Sequence, residues 1–257
     1  MMTSLDYRAV ENALAGCRWG HTLFTYDSIG STMDRARELA HKGAPEGSLV
    51  IAAEQTEGRG RLNRSWISPP GSLYVSLLVY PSPEKLPFLT MLAGLAVAEA
   101  TEAISPLKAS LKWPNDVLIG DKKVAGILVE SGFARGLSYA AIGIGINVNI
   151  QMGSFPDISG IATSLSDEAG GWVDTLKLLR YLIDKIESRY SAFDPGAILG
   201  LWRARLITLG RQVKASSGIS VIEGIAADVT GDGALIIRQR DGTQHTVVAG
   251  DVTLDPG

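Results

Sequence analysis

Three arginines lie close together in the segment Gly58–Trp66, which reads GRGRLNRSW. Arg59, Arg61 and Arg64 follow an apolar stretch of strand type, and the glycines between them let the backbone approach a ligand closely. Guanidinium groups stay charged and bind carboxylates or phosphates through paired hydrogen bonds. In a chain of net charge -3, this cluster indicates one small anionic ligand. A solvated basic loop and a nucleic-acid-binding arm are the alternatives, although no further basic residues extend the patch.

We call residues 58–66 the arginine loop. Its arginines have no obvious acidic partner nearby in sequence except Glu54 and Glu57. Because its glycines make the loop unfavourable to order, we expect it to close only when an anionic ligand offsets the lost entropy.

A second segment with chemical potential is KWPND, Lys112–Asp116. Pro114 is expected to hold Trp113 extended, so that the lysine and aspartate at the ends of the segment project from a stiff backbone. Asn115 and Asp116 offer oxygen atoms to a metal ion or an amine. The segment therefore predicts a rigid group of polar side chains.

A β-hairpin is predicted directly after KWPND, with Gly120 and Asp121 at its turn. The hairpin presents Lys123 close to Gly126, and a lysine beside a glycine can reach a phosphate. The alternative is a lysine-rich turn in which Lys122 and Lys123 both face solvent.

The third segment, GIGINVN at Gly143–Asn149, carries less information. Val148 stands where a dinucleotide-binding motif has its third glycine, and no acidic residue follows at the expected distance. A buried strand with close backbone packing is the favoured interpretation.

The elements that must position these segments follow from hydrophobic periodicity. Helices are expected at Leu5 to Ala15, behind an N-cap at Ser31 or Thr32, at Phe88 to Ala103, and at about 173–192 and 195–207. Strands are expected at Leu23 to Tyr26, Ser48 to Ala53, Leu73 to Tyr80, twice within Leu118 to Val129, and at Tyr139 to Val148. Beyond Leu209, short β-type runs separated by Gly-Asp-Gly and Asp-Gly turns predict a small antiparallel barrel or sandwich. The expected architecture is an α/β or α+β main domain and a small all-β domain that begins at Gly210.

The composition limits the class of protein. The chain has 257 residues, of which 46% are hydrophobic, enough for a large core. Its net charge of -3 does not favour a surface for nucleic acid or an anionic membrane. The single cysteine, Cys17, excludes an intramolecular disulfide and a multi-cysteine zinc site. The N-terminus lacks an apolar signal segment, and the stretch Pro87 to Ala98 is too short to span a bilayer, so a cytoplasmic protein is expected.

Together, these segments resemble one family. GRGR with its tryptophan, KWPND with KKVAGIL, and GIGIN, in this order, are similar to biotin–protein ligases, and DSIGSTM ahead of the predicted helix at Thr32 adds a fourth match. The resemblance extends from about Asp27 into the C-terminal β region. It implies an α+β fold with a mixed-sheet catalytic domain at residues 1–209. A small C-terminal all-β barrel of SH3-like type is implied at residues 210–257.

The resemblance also implies a reaction and its site residues. The enzyme would activate biotin with ATP and Mg²⁺ to biotinyl-5'-AMP, release pyrophosphate, and transfer biotin to a lysine of a biotin carboxyl carrier protein domain. The implied catalytic residues are Lys123, Arg59 and Asp116. The implied biotin-site residues are Ser31, Thr32, Met33, Gln55, Arg59, Gly60, Arg61, Lys123 and Gly126. The implied ATP-site residues are Arg61, Trp66, Lys112, Asn115, Lys123 and Asn147. The metal ligands are left unassigned, and two positions depart from commoner family residues, with Met33 in place of asparagine and Asn63 in place of glycine.

Two rival functions remain open at this point: a lipoate–protein ligase or acyltransferase, and a nucleotide- or nucleic-acid-binding module without catalysis. KWPND argues against the first rival, and the acidic balance argues against the second. Some family members carry an N-terminal DNA-binding domain, and the roughly 26 residues ahead of Asp27 are too few for one. We therefore expect a monofunctional ligase that does not bind DNA or membranes. Homodimerisation through an exposed sheet edge is left open, since no pattern in the sequence supports it.

Overall fold

The structure is a computed structural model that describes residues 5–217 and 220–254. Residues 1–4, 218–219 and 255–257, which belong to the predicted domain ranges, lie outside the described part of the chain. The helices are α1 (Tyr7–Ala13), α2 (Thr32–Lys42), α3 (Leu89–Ile104), α4 (Leu165–Ala169), α5 (Thr175–Ser191) and α6 (Pro195–Arg205). The first seven strands are β1 (Leu23–Tyr26), β2 (Ser48–Ala52), β3 (Leu73–Val79), β4 (Ala109–Lys112), β5 (Asp116–Ile119), β6 (Lys122–Ala134) and β7 (Leu137–Ile146). The later strands are β8 (Gln212–Ser217), β9 (Ser220–Val229), β10 (Leu235–Arg238), β11 (Gln244–Val247) and β12 (Asp251–Leu254).

In the described ranges, the first seven strands form the main sheet, in the order β1-β2-β3-β7-β6-β5-β4. The pair β1 and β2 is parallel, and the other neighbouring strands are antiparallel. The predicted mixed sheet is therefore confirmed. Its central pair, β6 and β7, brings the KKVAGIL and GIGIN segments side by side.

The main sheet is covered on both faces, which explains why its strands are apolar throughout. In β2, Leu49 and Ile51 join the large core with α3, whereas Val50 joins a second core with α2. Successive side chains of a strand point to opposite faces, so a strand covered on both sides needs apolar residues at every position. The strands at Ser48 to Ala53 and Leu73 to Tyr80 were predicted to within one residue.

Helix α3 lies in the centre of the large core. Eleven of its residues are buried, and α5 and α6 pack against it. The segment Pro83–Ile104 is long and apolar enough to cross a membrane, but 67% of its most apolar window is buried inside the protein. This burial confirms the predicted core helix.

The last five strands of the described chain form the C-terminal sheet, with the antiparallel order β11-β10-β9-β8-β12. Trp113 joins it to the main domain, because its buried indole Nε1 donates a hydrogen bond to the carbonyl oxygen of Gly233 at 2.9 Å. The predicted small all-β unit is confirmed.

Three local expectations need correction. Residues 113–115 form the turn between β4 and β5 and do not extend the backbone, so Lys112 and Asp116 are partners across a hairpin. Ser31 occupies the N-cap position of α2, but its side chain makes no capping hydrogen bond. Strand β4 and the short helix α4 were not predicted, because segments of four or five residues carry too little periodicity.

Candidate active site

A cavity of about 300 Å³ is lined by residues from both sheets. We call it the main cavity. Residues of the predicted site that line it are Ser31, Thr32, Met33, Gln55, Arg59, Gly60, Arg61, Trp66, Lys112, Asn115, Asp116, Lys123 and Gly126. The structure therefore brings together segments that lie far apart in sequence. Asn147 alone among the predicted residues does not line it.

Lys123 is placed by the hairpin of β5 and β6 that the sequence predicted. Its Nζ lies 2.6 Å from the Asp116 carboxylate oxygen Oδ1 and 5.0 Å from the centroid of a Trp66 ring. Lys122, its neighbour, is exposed to solvent. The alternative of two solvent-facing lysines is thus wrong for Lys123, which is partly buried in the main cavity.

Glycines keep the cavity open where β6 and β7 pair. Gly126 and Gly145 are direct partners, and Gly143 lies two residues before Gly145. A Cβ atom on Gly143 would lie 2.6 Å from the Met33 sulfur, and one on Gly145 would lie 2.6 Å from the Trp66 indole nitrogen. The interpretation of GIGIN as a strand with close packing is confirmed.

One side of the cavity is a chain of hydrogen-bonded polar groups. The hydroxyl of Ser76 donates to Thr32 at 2.8 Å, and the hydroxyl and backbone N–H of Thr32 both donate to Gln55 Oε1 at 2.9 Å. The Gln55 amide donates to Ser68 at 3.2 Å. Their mutual bonds hold these side chains in fixed orientations. Ser31 is buried beside them.

Arg61 is the most buried arginine of the arginine loop. Its Nη1 donates to the carbonyl oxygen of Gly250 at 3.0 Å, and burial lowers the pKa of its guanidinium. Within the described chain, no carboxylate lies within ion-pair distance of Arg61. A partly buried guanidinium that stays charged favours an anionic partner.

The other two arginines of the loop have carboxylate partners, contrary to expectation. Arg59 donates to Asp34 at 2.7 Å and lies 3.8 Å from Glu130, and the hydrogen bond with Asp34 raises the pKa of its guanidinium. Arg64 pairs with Asp251. These partners are distant in sequence, so the local sequence around Glu54 and Glu57 does not indicate them.

Two predicted nucleotide contacts have structural partners of their own. The Asn115 amide donates to the carbonyl oxygen of Ile127 at 2.6 Å, which stabilises the turn after β4. Asn147 is buried, and its amide donates to the carbonyl oxygen of Thr163 at 3.0 Å. A nucleotide contact by Asn147 remains a prediction. The expectation for Asn63 concerns a side chain outside the described part of the structure.

One wall of the cavity was not predicted from the sequence. The C-terminal sheet supplies that wall through Ser216, Asp251, Val252 and Thr253. Asp251 could have been found only through its ion pair with Arg64, which no short motif encodes. Both sheets are therefore needed to complete the cavity.

The described residues that line the main cavity include the carboxylates Asp116 and Asp251, each paired with a cation. Nowhere in residues 5–217 and 220–254 do three or more His, Cys, Asp or Glu side chains group closely enough to hold a metal ion. Mg²⁺ commonly takes one or two carboxylates and completes its shell with water and substrate phosphates. The carboxylates of Asp116 and Asp251 therefore fit a Mg²⁺ ion whose other ligands would come from a bound nucleotide and water.

Comparison with known proteins assigns the family. Residues 25–147 match the biotin/lipoate A/B protein ligase family, and residues 208–255 match the biotin protein ligase C-terminal domain. The chain is 37% identical to the bifunctional ligase/repressor BirA of Bacillus spizizenii, over 91% of this chain and 74% of that protein. It is 32% identical to the biotin–[acetyl-CoA-carboxylase] ligase of Mycobacterium tuberculosis, over 96% of this chain and 95% of that protein.

A solved structure agrees with this assignment. The biotin protein ligase from Aquifex aeolicus, in complex with biotin and ATP, superposes with a TM-score of 0.77 at 31% identity. The alignment covers 91% of this chain and 99% of that chain. The fold and the site define a ligase of the biotin/lipoate type. More specifically, this chain belongs to the biotin–protein ligase family, and it uses ATP to activate biotin and attach it to a protein. The resemblance and the α+β fold class predicted from the sequence are confirmed.

Proposed function

We propose that biotin is adenylated in the main cavity and then transferred there to a lysine of a biotin carboxyl carrier protein domain. The observation that carries this proposal is the convergence of Lys123, Arg61 and the glycines of β6 and β7 in one cavity. Relatives named biotin–[acetyl-CoA-carboxylase] ligases support a carboxylase as the acceptor.

The first step needs cationic groups. A carboxylate oxygen of biotin attacks the α-phosphorus of ATP, and the bond from that phosphorus to the pyrophosphate oxygen breaks. Two anions must meet, so positive charge placed in advance lowers the barrier. We assign this role to Lys123 and Arg61, with Arg59 closing the loop over the product.

The second step needs a proton acceptor. The amine of the acceptor lysine attacks the acyl carbon of biotinyl-AMP, AMP leaves, and the amine loses a proton. Asp116 is a cavity carboxylate beside Lys123, and we assign it to orient the amine and accept this proton. The closed arginine loop would keep water from the mixed anhydride.

The remaining assignments follow the lining of the cavity. Ser31, Thr32 and Gln55 offer polar groups to one end of biotin, while Met33, Gly60 and Gly126 shape the space around it. Lys112, Asn115 and Trp66 line the main cavity and are assigned to ATP. Asn147, which does not line the cavity, is assigned to ATP by the family resemblance. Mg²⁺ would offset the phosphate charge of ATP, and Asp116 in the cavity lining would be a candidate ligand for it.

Incubation of the protein with biotin, ATP and Mg²⁺ tests this proposal. We expect biotinyl-AMP and pyrophosphate, followed by biotin on a carrier domain when one is added. Lipoate in place of biotin should give no adenylate. If lipoate reacts and biotin does not, the alternative hypothesis of a lipoate–protein ligase is correct. Binding of ATP without pyrophosphate release would indicate a module without catalysis.

The boundary between the two domains is proposed to lie at Gly210. The backbone N–H of Ile207 donates to Leu111 of the main sheet at 2.9 Å, whereas that of Gly210 donates to Ala226 of the C-terminal sheet at 2.8 Å. Gly210 itself has a φ of 79°, which favours glycine. Limited proteolysis should cut near this residue if the boundary is correct.

Three further properties are proposed on narrower grounds. The acidic balance supports the absence of operator binding, which a footprint dependent on biotinyl-AMP would contradict. A cytoplasmic location fits the free, buried thiol of Cys17, and cell fractionation would test it. For homodimerisation, a second copy would pair along an edge strand of the main sheet, which is β1 at one end and β4 at the other. Sedimentation with and without biotin and ATP would detect such a dimer.

A further inference from the structure

The main cavity runs along strands β6 and β7, and Lys123 near the start of β6 lines one end of it. The row that pairs Gly126 with Gly145 comes next, and the row that pairs Leu128 with Gly143 follows two residues later. Two residues of a strand span about 6.6 Å. Among the described residues, β6 and β7 line the cavity no further than this second row. The row of Leu128 and Gly143 therefore marks the end of the cavity that lies away from Lys123.

Met33 packs against this far row. It lies on α2, is 5% exposed and lines the main cavity. A Cβ on Gly143 would lie 2.6 Å from the Met33 Sδ and 2.9 Å from its Cγ, so the side chain lies directly on the glycine backbone. Leu128 packs against the same apolar cluster as Met33. The Met33 side chain therefore forms a wall at the far end of the cavity, which we call the end wall.

The end wall is held in place by the residues behind it. A methionine side chain has several rotatable bonds and adapts to irregular space where its surroundings are loose. Close-packed neighbours leave it few alternative rotamers. The buried cluster around Met33 supplies such neighbours from α2 and from the main sheet, among them Ala36, Leu39, Val50, Leu78 and Ala141. We therefore expect the end wall to yield little to a ligand.

Polar groups of the cavity lie at the same end as Met33. Thr32 directly precedes it, and the hydroxyl and backbone N–H of Thr32 both donate to Gln55 Oε1 at 2.9 Å. An acid whose carboxylate reacts beside Lys123 presents its opposite end to this part of the cavity. In biotin that end is the fused ring system, which has a polar ureido side and an apolar thioether side. The distance between Lys123 and Met33 then limits the length of the acid.

We propose that Met33 is a specificity-determining residue that limits the length of the carboxylic acid adenylated in the main cavity. The inference rests on the proposed adenylation of biotin beside Lys123. Gly143 is the partner of Met33 in this role, because a side chain at position 143 would occupy the space that Met33 fills. A smaller residue at position 33 should admit longer acids, while the polar groups of Thr32 and Gln55 stay in place.

The test compares biotin with homobiotin, whose acid chain is one methylene longer, in the full chain. One methylene in an apolar pocket changes kcat/KM by roughly 10–200-fold, so wild type should favour biotin by about tenfold or more in adenylate formation. Met33→Ala should reduce this preference to less than about threefold, because it opens the end wall. Met33→Leu has a similar volume and should keep the wild-type preference.

Leu39→Ala is the matched control. Leu39 is buried on the same helix and in the same apolar cluster as Met33, but it does not line the main cavity. Both alanine variants should unfold at a lower temperature than wild type, and only Met33→Ala should lose the preference for biotin. Equal rates with the two acids in wild type, or an unchanged preference in Met33→Ala, would overturn the proposal. So would an equal loss of preference in Leu39→Ala.

Gly143→Ala tests the end wall without removing Met33, and its readout is biotin binding without ATP, measured by calorimetry. The added methyl group should displace the Met33 side chain and weaken biotin binding several-fold. Adding Met33→Ala should restore part of this binding, because the smaller side chain leaves room for the methyl group. Unchanged binding in Gly143→Ala, or losses that multiply in the double variant, would overturn the proposal. If wild type binds biotin but forms no biotinyl-AMP, the proposed function fails, and this inference fails with it.

Discussion

At the scale of single residues, the two adjacent lysines at the start of β6 differ in their surroundings. Lys123 faces Asp116 and Trp66 in the main cavity, whereas Lys122 is exposed. Successive residues of a strand point to opposite sides, so only one of two neighbours can enter the cavity. The structure thus provides a matched pair of lysines for testing.

We expect Lys123→Ala to abolish adenylate formation while the protein stays folded, because the ammonium serves the reacting phosphate and is partly exposed. Lys122→Ala should retain close to full activity. Pyrophosphate release measures both, and circular dichroism checks the fold. Normal adenylation by Lys123→Ala would show that another group neutralises the phosphate.

Arg61 and Arg64 form a second matched pair. Arg61 is half-buried and has no carboxylate partner among the residues that the structure describes, whereas the Arg64 side chain is 69% exposed and pairs with Asp251. We expect Arg61→Ala to weaken ATP binding by about 1.5–3 kcal/mol if one charged hydrogen bond is lost. Arg64→Ala should weaken it by less than about 1 kcal/mol. Calorimetry with a non-reactive ATP analogue would show the difference, and equal losses would contradict it.

At the scale of elements, the arginine loop is tied at both ends. Arg59 binds Asp34 on α2, while Arg61 and Arg64 bind residues 250 and 251 at the start of β12. The loop therefore links the main domain to the C-terminal sheet. Its closure depends on these contacts as well as on a ligand.

Arg59→Ala should loosen the loop and release biotinyl-AMP, because the tie to Asp34 is lost. Escaped adenylate would biotinylate exposed lysines of a bystander protein such as albumin. Labelling is compared with wild type at equal adenylate production. Arg37→Ala is the control, since Arg37 also pairs with Asp34 but lies on α2 outside the loop. If Arg59→Ala labels the bystander no more than Arg37→Ala does, a group other than Arg59 retains the biotinyl-AMP.

The helices behind the main sheet are joined by an ion pair with a predictable pH dependence. Glu102 on α3 accepts hydrogen bonds from Arg205 on α6 at 2.8 and 3.0 Å, and this pairing lowers the pKa of Glu102. A lowered carboxyl pKa stabilises the fold above the unfolded-state pKa, and the stabilisation is lost as the pH falls through the folded-state value.

Glu102→Gln should therefore lower the free energy of unfolding by about 1 kcal/mol at neutral pH, after allowance for partial exposure. The difference from wild type should shrink as the pH falls below the unfolded-state pKa of a glutamate, about 4.3, and through the lowered pKa of Glu102 in the folded state. Urea unfolding at several pH values measures it. A difference that is constant with pH would mean that charge plays no part.

At the scale of the whole molecule, the two sheets depend on one another for the site. Trp113 donates to Gly233, and its backbone N–H donates to the Thr208 hydroxyl at 2.9 Å. The C-terminal sheet contributes Asp251 and Thr253 to the main cavity. A substitution at this junction between the two sheets should therefore alter substrate binding.

Trp113→Phe removes the indole N–H at the junction. We expect a loss of about 1–3 kcal/mol in stability together with a raised KM for biotin or ATP. Trp19→Phe is the matched control, because Trp19 packs against Tyr190 inside the main domain. It should reduce stability without changing KM. If KM is the same for both variants, the junction between the two sheets does not influence substrate binding.

The sequence by itself determined most of the elements and the chemistry of the site. Periodicity predicted α3, α5 and the long strands β2, β3 and β7 of the main sheet, because these segments are long and repeat apolar residues regularly. The motifs around Lys123 and Arg61 named groups that the structure brings into one cavity. Short elements such as β4 and α4 were not predicted, because four or five residues are too few to show a periodic pattern.

Only the tertiary structure decided which charges meet. The partner of Arg59 is 25 residues away and that of Arg61 is 189 residues away in the chain. Local sequence encodes φ and ψ preferences and the exposed or buried face of each element, but not pairings across separate sheets. The cavity wall from β12 exists only because the C-terminal sheet packs against the main domain. Gly126 and Gly145 lie together beside Trp66 only because β6 and β7 pair at one register.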